Sequence, residues 1–392
     1  MTAGGTAPLA RRVKEVVPFH VMALLARAKE LEAQGRSIVH MEIGEPDFPT
    51  PQPVCAAGVR AIEKGNVFYT PSLGLPELRA AIARHYRDRY GVELPSSRVV
   101  ITSGASGALL LAIAALVDPG DEVLMAEPGY PANRNFVRVM DGVPVEIAVG
   151  AESAYQLLPE MVERHWSART RAVMVASPAN PTGTLMPRES LRAIVKHARS
   201  HGGAVIADEI YHGLVYDGEC GTALQLGDDV FVINSFSKYF NMTGWRLGWI
   251  VVPEAYVPEF DKLSQNIYLS APAASQHAAL AAFAPETIAI LEQRRAEFKA
   301  RRDFLVPALR KLGFHIPVVP QGAFYIYADC SALATDSFAF ARELLETAGV
   351  AITPGADFGA HGAARHVRFA YTNAIPALAE GVRRIGEFLA RR

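Results

Sequence analysis

Residues 235–246 read SFSKYFNMTGWR, and this stretch guides the interpretation of the whole chain. Its lysine, Lys238, follows the apolar residues 230–233, which predict a buried parallel strand. Burial disfavours the ammonium form of lysine, and the neutral amine is the form that makes Schiff bases. The hydroxyls of Ser235 and Ser237 and the guanidinium of Arg246 are suited to a dianion. The stretch suggests a site for an aldehyde that carries a phosphate, although a solvated surface lysine explains so short a motif better when it is taken alone.

Composition limits the classes of protein to consider. The chain has 392 residues, 50% of them hydrophobic, enough for one large domain and a smaller one. Lys+Arg 39 and Asp+Glu 40 nearly cancel and no long basic run occurs, so no nucleic-acid partner is expected. The three cysteines show neither disulfide nor metal-ligand spacing, which indicates a reducing cytoplasm and no metal. No apolar stretch is long enough for a membrane span, and the first residues lack a secretion signal.

From residue 52 onward, helical patterns alternate with short apolar strands, as in a mostly parallel sheet with right-handed crossovers. Strands are predicted at 98–102, 122–126, 171–176, 203–207 and 230–233. The residues with functional potential that follow these strands are Gly104, Ala105 and Ser106, then Tyr130, Asn180, Asp208 with Tyr211, and Lys238. Most have an ordinary explanation as a tight turn, a core ring or a backbone cap. The carboxylate of Asp208 is harder to explain, because a buried charge needs a partner.

Both ends of the chain predict further elements. The N-terminal elements are an unstructured arm at 1–17, an amphipathic helix at 19–32, a strand at 37–43 and a turn that begins at Gly44. A long helix is predicted at 285–312, with four arginines on solvated faces, Arg294, Arg295, Arg301 and Arg302. The C-terminal elements are strands at 313–316, 320–327, 350–353 and 366–371 around a helix at 337–347. Arg368 lies within the last strand, where its apolar neighbours favour an edge or outward-facing position.

These motifs together resemble one enzyme family. The residues that carry the resemblance are Tyr69, Gly104-Ala105-Ser106, Tyr130, Asn180-Pro-Thr-Gly183, Asp208-Glu-Ile-Tyr211, Ser235-x-Ser-Lys238, Arg246 and Arg368. Their order and spacing are similar to those of the fold-type I, pyridoxal-phosphate-dependent aminotransferases of class I and II, the aspartate aminotransferase superfamily, from about residue 43 to the C-terminus. The resemblance implies an α/β fold, with a large domain built on a mostly parallel, doubly wound sheet and a smaller α/β C-terminal domain. The implied boundaries are 1–50 for an N-terminal arm and helix that join the small domain, 51–290 for the large domain and 291–392 for the small domain.

The resemblance also implies the chemistry of the central residues. Lys238 would form a Schiff base, the aldimine, with the aldehyde of pyridoxal 5′-phosphate, and would then move the proton between the substrate α-carbon and the cofactor. Asp208 would keep the pyridine nitrogen protonated. Tyr211 and Asn180 would donate to the ring oxygen, and Tyr130 would stack on the ring. An L-amino acid would pass its amino group to a 2-oxo acid in a ping-pong cycle.

The remaining implied roles concern the phosphate and the substrate. The phosphate-binding residues would be Gly104, Ala105, Ser106, Ser235, Ser237 and Arg246, together with Tyr69 of a neighbouring subunit, so a homodimer with shared sites is expected. Ser270 would also reach across the dimer. Arg368 would bind the substrate α-carboxylate through its two-pronged guanidinium, with help from Asn180 and from the N–H group of Gly44.

The chain departs from aspartate-specific relatives at two positions. One branch of the family carries a lysine at the position of Ser106, and another carries an arginine at the position of Asn266. Neither anchor for a second substrate carboxylate is present, so the side-chain pocket is expected to work without one unless Arg134 or another residue substitutes.

Two other functions remain open from the sequence. A β-elimination lyase or a synthase on the same scaffold would use the same residues and would differ in which substrate bond breaks. A non-catalytic regulator would need a DNA-binding module, and the 42 residues before Ile43 give room for one helix only. A dehydrogenase is disfavoured, because the dinucleotide-binding glycine pattern is missing.

Overall fold

The computed structural model describes residues 7–392. The α-helices are α1 (Arg11–Glu15), α2 (His20–Ala33), α3 (Gln52–Glu63), α4 (Pro76–Tyr90), α5 (Gly104–Leu116), α6 (Pro131–Val139), α7 (Pro159–His165), α8 (Arg188–Ser200), α9 (Val257–Ile267), α10 (Ala273–Ala279), α11 (Pro285–Lys311), α12 (Ser337–Ala348) and α13 (Ile375–Ala390). The strands are β1 (Val39–His40), β2 (Val99–Thr102), β3 (Glu122–Glu127), β4 (Val143–Ala148), β5 (Thr170–Ala176), β6 (Ala204–Asp208), β7 (Phe231–Ser235), β8 (Gly248–Val251), β9 (Tyr325–Asp329), β10 (Val350–Ala351), β11 (Thr353–Pro354) and β12 (His366–Ala370).

A seven-stranded sheet forms the centre of the molecule, with the strand order β2-β8-β7-β6-β5-β3-β4. Strands β4, β3, β5, β6 and β7 pair in parallel, whereas β8 runs antiparallel to both of its neighbours, β2 and β7. The mostly parallel sheet expected from the alternation of helices and strands is therefore confirmed. The apolar run at 230–233 belongs to β7, which has a parallel neighbour on one side only.

Both faces of this sheet are buried along most of its strands, whereas the edge strand β4 is partly exposed. Consecutive residues of a strand alternate between two apolar clusters, so that Val232 packs in one cluster and Ile233 in the other. Val205 and Ile206 of β6 divide in the same way. Because side chains of a strand point alternately to its two faces, a strand buried on both faces needs an unbroken apolar run. This is why the strands were recognisable in the sequence, and why polar residues stand out at their ends.

Two smaller sheets join the ends of the chain. One is antiparallel with the order β11-β12-β9, and in the other β1 pairs in parallel with β10, so that the N-terminal segment lies against the C-terminal one. Strand β12 is the middle strand, and its Arg368 is only 5% exposed. The expectation of an edge or outward-facing Arg368 was therefore wrong. The strand predicted at 313–316 is reduced to one bridge between His315 and Asp329.

The long helix α11 corrects a second expectation. Arg301 and Arg302, which were expected on solvated faces, are 2% and 3% exposed. Arg301 pairs with Asp47 at 2.8 Å, and Arg302 pairs with Asp217. A buried guanidinium needs such partners, and these lie far away in the sequence. In the described part of the chain, no helix is long and apolar enough to cross a membrane.

The N-terminal arm contains a helix that the sequence did not predict. Helix α1 lies against α6, where Arg12 pairs with Asp141 at 2.9 Å and Arg138 donates a hydrogen bond to the carbonyl of Glu15. The arm expected at 1–17 is thus partly helical, and its first six residues lie outside the described ones.

Candidate active site

A cavity of about 440 Å³ opens at the carboxyl ends of the parallel strands. Ligands of open α/β sheets usually bind at this edge. The predicted site residues that line the cavity are Gly44, Ala105, Ser106, Tyr130, Asn180, Asp208, Tyr211, Ser235, Ser237, Lys238, Arg246 and Arg368. Gly104 lies beside the cavity next to Arg246, and Tyr69 lies on the surface. The fold therefore brings together residues that are up to 324 positions apart in the chain.

Lys238 follows the end of β7 and points into this cavity. Its Nζ donates a hydrogen bond of 2.7 Å to the carbonyl of Gly44 and lies 5.8 Å from the centre of the Phe324 ring. Burial lowers the pKa of Lys238 to about 8, against the opposing charge of Glu45. A substantial fraction of the amine is therefore neutral near pH 7 to 8, which is the form required of a nucleophile.

Asp208 ends β6 on the neighbouring strand and is 6% exposed. Within the described residues, its carboxylate accepts one hydrogen bond, from the N–H of Ile210 at 3.1 Å. Burial raises the pKa of Asp208 to about 6, while this hydrogen bond and the charge of Lys238 act in the opposite direction. A carboxylate can accept several hydrogen bonds, so Asp208 keeps capacity for a further cationic donor.

Polar groups at one end of the cavity form a cradle for an anion. Ser235 Oγ donates to Ser237 Oγ at 3.0 Å, and the N-terminus of α5 brings Ala105 and Ser106 to the same cavity. The guanidinium of Arg246 lies against Gly104, where a Cβ atom would be 2.6 Å from Nη2. Gly104 also has a positive φ of 70°, a backbone conformation that favours glycine, and its lack of a side chain leaves room for the guanidinium.

Arg368 enters the cavity from β12 on the opposite side. Its Nη1 donates to Oδ1 of Asn180 at 3.0 Å, and its Nη2 donates to the carbonyl of Glu42 and to Thr353 Oγ1. Its Nε is buried and, within residues 7–392, has no hydrogen-bond partner. The guanidinium is thus held in place by neutral oxygens and has no carboxylate partner among these contacts, which suits it to an anionic ligand.

Comparison with known proteins identifies the family. The model of aminotransferase class I and II matches residues 36–385. The chain belongs to the class I and II aminotransferases. This membership confirms the family resemblance and the interpretation as an aminotransferase that were based on the strand-end motifs.

Relatives match this aminotransferase along nearly its whole length. A protein of Mycobacterium tuberculosis named valine–pyruvate aminotransferase is 41% identical over 376 residues, which cover 95% of this chain and 97% of that protein. The (5-formylfuran-3-yl)methyl phosphate transaminase of Methanocaldococcus jannaschii is 37% identical over 384 residues, covering 97% and 99%. Among solved structures, an aminotransferase from M. tuberculosis has a TM-score of 0.95 at 40% identity, with 99% of this chain and 100% of that chain covered. The aspartate aminotransferase from Thermus thermophilus with maleate has a TM-score of 0.92 at 36% identity, covering 97% and 100%.

The sequence interpretation missed several residues of the cavity. Tyr325 lines it, and its hydroxyl lies 2.8 Å from the hydroxyl of Tyr211. Phe19 and Val21, at the start of α2, line its outer part. Tyr325 was part of a predicted strand, but nothing in an apolar and aromatic strand shows which ring faces a ligand. Phe19 and Val21 reach the site only through tertiary packing of the N-terminal segment.

Arg134, the suggested substitute anchor for a second carboxylate, is engaged elsewhere in this aminotransferase. Its Nη1 pairs with Glu146 at 2.9 Å, and its Nη2 donates to the carbonyl of Asp357 at 2.9 Å. Asn266 is exposed and donates to the carbonyl of Lys262 on its own helix. Neither residue lines the cavity. The guanidinium of Arg134 would have to leave an ion pair to bind a substrate.

Proposed function

We propose that this aminotransferase moves the α-amino group of an L-amino acid to a 2-oxo acid by a ping-pong cycle, with pyridoxal 5′-phosphate attached at Lys238. The observation that carries the proposal is a pair of groups that line one cavity. A part-buried lysine with a pKa near 8 shares the cavity with a buried carboxylate that, within residues 7–392, has a single hydrogen bond. An amine nucleophile and an acceptor for a protonated ring nitrogen are the two groups that this cofactor requires.

The residues of the cavity fit the cofactor. Asp208 can accept from a pyridinium, which would relieve the cost of its burial. The cradle around Arg246 can take the phosphate, with the N-terminus of α5 favouring negative charge. Ser235, Ser237, Ala105 and Ser106 complete that cradle, and Tyr130 borders the space between cradle and lysine.

When bound, the cofactor supplies an aldehyde that bonds the amino group and a protonated ring that accepts electrons from the substrate α-carbon. With the substrate amine in its place on the cofactor, Lys238 Nζ would be free to remove the proton from the α-carbon and to return it on the cofactor side, so the same amine would be tether and acid/base. Tyr211 and Asn180 would donate to the ring oxygen, and Asp208 would accept from the protonated ring nitrogen.

Arg368 orients the substrate by binding its α-carboxylate. Because Asn180 and Thr353 fix the two terminal nitrogens, the guanidinium is positioned before the substrate arrives. The N–H group of Gly44 borders the same space and is a second donor for the carboxylate.

A neighbouring subunit completes the site in this proposal. Tyr69 is 83% exposed, and beside it Phe68 is 83% and Val67 55% exposed. Three adjacent exposed apolar or aromatic residues favour a protein interface. We therefore place Tyr69 against the phosphate of the partner's site in a homodimer, with Ser270 as a further residue that reaches across.

Two domains enclose the substrate. The proposed division is residues 1–50 with 291–392 as the small domain and residues 51–290 as the large domain. A contact between the two domains is made by Glu127, which accepts from the N–H of His361 at 2.8 Å. Within the small domain, Asp357 accepts from the N–H of Val21 at 2.8 Å and thereby holds the start of α2, where Val21 lines the cavity. Closure on binding would exclude water from the reacting atoms.

The proposed donors are amino acids with a neutral side chain. The cations that line the cavity are Lys238, Arg246 and Arg368, and each has a role above. The outer wall contains Phe19 and Val21 instead of a cation, and the relative named valine–pyruvate aminotransferase supports the same class. Initial rates with valine, alanine, phenylalanine and aspartate, each with pyruvate or 2-oxoglutarate, check this prediction. A strong preference for aspartate over every monocarboxylic donor would contradict it.

The visible absorption spectrum tests the proposed function directly. The purified protein should show a cofactor band that shifts on addition of an amino acid and returns with a 2-oxo acid. Borohydride should attach the cofactor to the wild-type chain but not to Lys238→Ala, which should also lose activity. Full activity in Lys238→Ala would overturn the proposal. Release of ammonia and pyruvate without transfer to a 2-oxo acid would instead favour the β-elimination alternative.

A further inference from the structure

Tyr325 connects three groups of the cavity that come from different parts of the chain. Its hydroxyl lies 2.8 Å from the hydroxyl of Tyr211, and both residues are buried, at 2% and 5% exposure. A Cβ atom built on Gly44 would overlap the Tyr325 hydroxyl oxygen. The absence of a side chain at Gly44 therefore makes room for this hydroxyl, in addition to any contact that Gly44 makes with a substrate.

The ring of Tyr325 lies against Arg368. The guanidinium carbon is 4.3 Å from the centre of this ring and 4.9 Å from that of Phe358. Strands β9 and β12 are adjacent, so the two side chains are held by paired backbones. A guanidinium between two aromatic rings is fixed in plane and position.

The hydrogen bond between the two hydroxyl groups uses one of their two protons. Each tyrosine hydroxyl has a single proton and can also accept, so a hydrogen bond between them leaves one proton for the cavity. Burial raises the pKa of both phenols, and the charge of Arg368 opposes this rise in both. Arg368 is the largest opposing influence on Tyr325, whereas the neighbouring Tyr325 and the charge of Asp208 raise the pKa of Tyr211 further. The phenol beside the cation is the better donor, and donation from Tyr325 leaves the Tyr211 proton free to point into the cavity.

We propose that Tyr325 is a positioning residue, whose hydroxyl donates to Tyr211 and directs the Tyr211 proton to the cofactor ring oxygen while its ring holds Arg368. This inference rests on the proposed function, because it assumes that Tyr211 donates to the cofactor. A donor that itself accepts a hydrogen bond is a stronger donor. Tyr325 thus strengthens the stabilisation of the anionic ring oxygen and lowers the pH at which the cofactor's visible band changes form.

The test is a spectrophotometric pH titration of the cofactor-loaded enzyme. In Tyr325→Phe the ring stays and the hydroxyl is lost, so the midpoint of the visible transition should rise by about 0.3 to 1 pH unit. Tyr211→Phe should raise it further. In the double variant, the second substitution should add nothing, because Tyr325 acts through Tyr211.

Tyr327→Phe is the matched control. Tyr327 is a buried tyrosine on the same strand, 4% exposed, and its ring stacks on His366 away from Tyr211. The midpoint of the visible transition in Tyr327→Phe should equal that of the wild type. A midpoint unchanged in Tyr325→Phe but raised in Tyr211→Phe would overturn the inference and leave the proposed function intact. A midpoint unchanged in Tyr211→Phe as well would overturn the role of Tyr211 and this inference with it.

The contact between the Tyr325 ring and Arg368 is tested separately, through the KM of the amino donor. Tyr325→Phe keeps the contact with Arg368, so the KM of the amino donor should stay within about twofold of wild type. Tyr325→Leu removes the aromatic face and should raise that KM by about threefold to thirtyfold. Equal KM values in the two variants would overturn the part of the inference that concerns Arg368, and retention of the visible band would show that both proteins remain folded.

Discussion

Two neighbouring carboxyl groups at the end of β6 occupy different regions of the molecule. Asp208 faces the cavity, whereas Glu209 points behind the sheet edge into a group of polar residues that we call the rear cluster. The rear cluster consists of Glu209, His212, Cys220, Thr222 and Tyr90. Both carboxyl groups are buried. They point to different regions because consecutive side chains of an extended chain point to opposite sides.

The rear cluster gives Glu209 two hydrogen bonds, both to Oε1, from Thr222 Oγ1 at 3.0 Å and from the N–H of Ala223 at 2.7 Å. Glu209 Oε2 lies 3.2 Å from His212 Nδ1 and, within residues 7–392, has no hydrogen-bond partner. Burial raises the pKa of Glu209 to about 8 and lowers that of His212 to about 3, so both are neutral at pH 7. The cavity carboxyl differs, because Lys238 and a single N–H leave Asp208 ionised with unused acceptor capacity. The comparison suggests that the site keeps an ionised carboxylate with acceptor capacity for a ligand, whereas the rear cluster keeps its carboxyl group neutral and serves packing.

The largest predicted effect is the difference in activity between a variant of Asp208 and a variant of Glu209. Asp208→Asn removes the proposed partner of the ring nitrogen and should lower kcat/KM by about a thousandfold, as loss of a preorganised electrostatic contact does. Glu209→Gln keeps an acceptor for Thr222 and Ala223 and should change kcat/KM by less than about tenfold. Steady-state kinetics of both variants with one donor and acceptor pair provide the measurement.

The stability of the cofactor-free proteins provides the control for this prediction. Asp208→Asn should be more stable than the wild type by about 1 to 3 kcal/mol at pH 8, because it removes an ionised group from a buried position. Activity and stability would then move in opposite directions, as expected for a functional group. Equal losses of activity in both variants, or a cofactor-free Asp208→Asn less stable than wild type, would contradict the distinction.

Much of the cavity could be predicted because its residues follow recognisable strands. The apolar runs buried on both faces located the strand ends. Asp208 is the last residue of β6, and Lys238 and Asn180 lie a few residues beyond the ends of β7 and β5. The family resemblance then supplied their roles, which stay proposals. The sequence could show that these residues meet, because the carboxyl ends of parallel strands share one edge of the sheet.

The missed features depend on pairings that the sequence does not reveal. Arg368 was expected at an edge, yet the order β11-β12-β9 makes its strand the middle one. Arg301 and Arg302 were expected in solvent, yet Asp47 and Asp217 reach them from distant loops. In each case the local sequence pattern does not show which distant residues pack against the arginine, and those tertiary contacts determine its burial.

The smaller predicted effect concerns the pH dependence of stability in the rear cluster. The pKa of Glu209 in the folded protein, about 8, lies above its ordinary value of 4.5. Below pH 4.5 the buried Glu209 does not reduce the free energy of unfolding. As the pH rises from 4.5 to 8 it reduces that free energy progressively, because the carboxyl group loses its proton at a lower pH in the unfolded chain than in the folded protein. The free energy of unfolding of Glu209→Gln, relative to that of the wild type, should therefore increase by about 2 to 4 kcal/mol from pH 5 to pH 8.5. Thermal or urea unfolding of the cofactor-free proteins at these two pH values measures the difference.

Thr222 supplies the matched control for this last comparison. Thr222→Val has nearly the same shape but loses the hydrogen bond to Glu209, so it should cost about 1 kcal/mol at both pH values, whereas Thr222→Ser should cost less. His212 is neutral in the folded protein and titrates in the unfolded chain, but it does so in every variant and cancels from the differences. A difference between Glu209→Gln and wild type that stays constant from pH 5 to pH 8.5 would show that Glu209 is ionised in the fold. The rear cluster would then hold a charge as the cavity does, and ionisation of a buried carboxyl group would no longer distinguish Asp208 from Glu209.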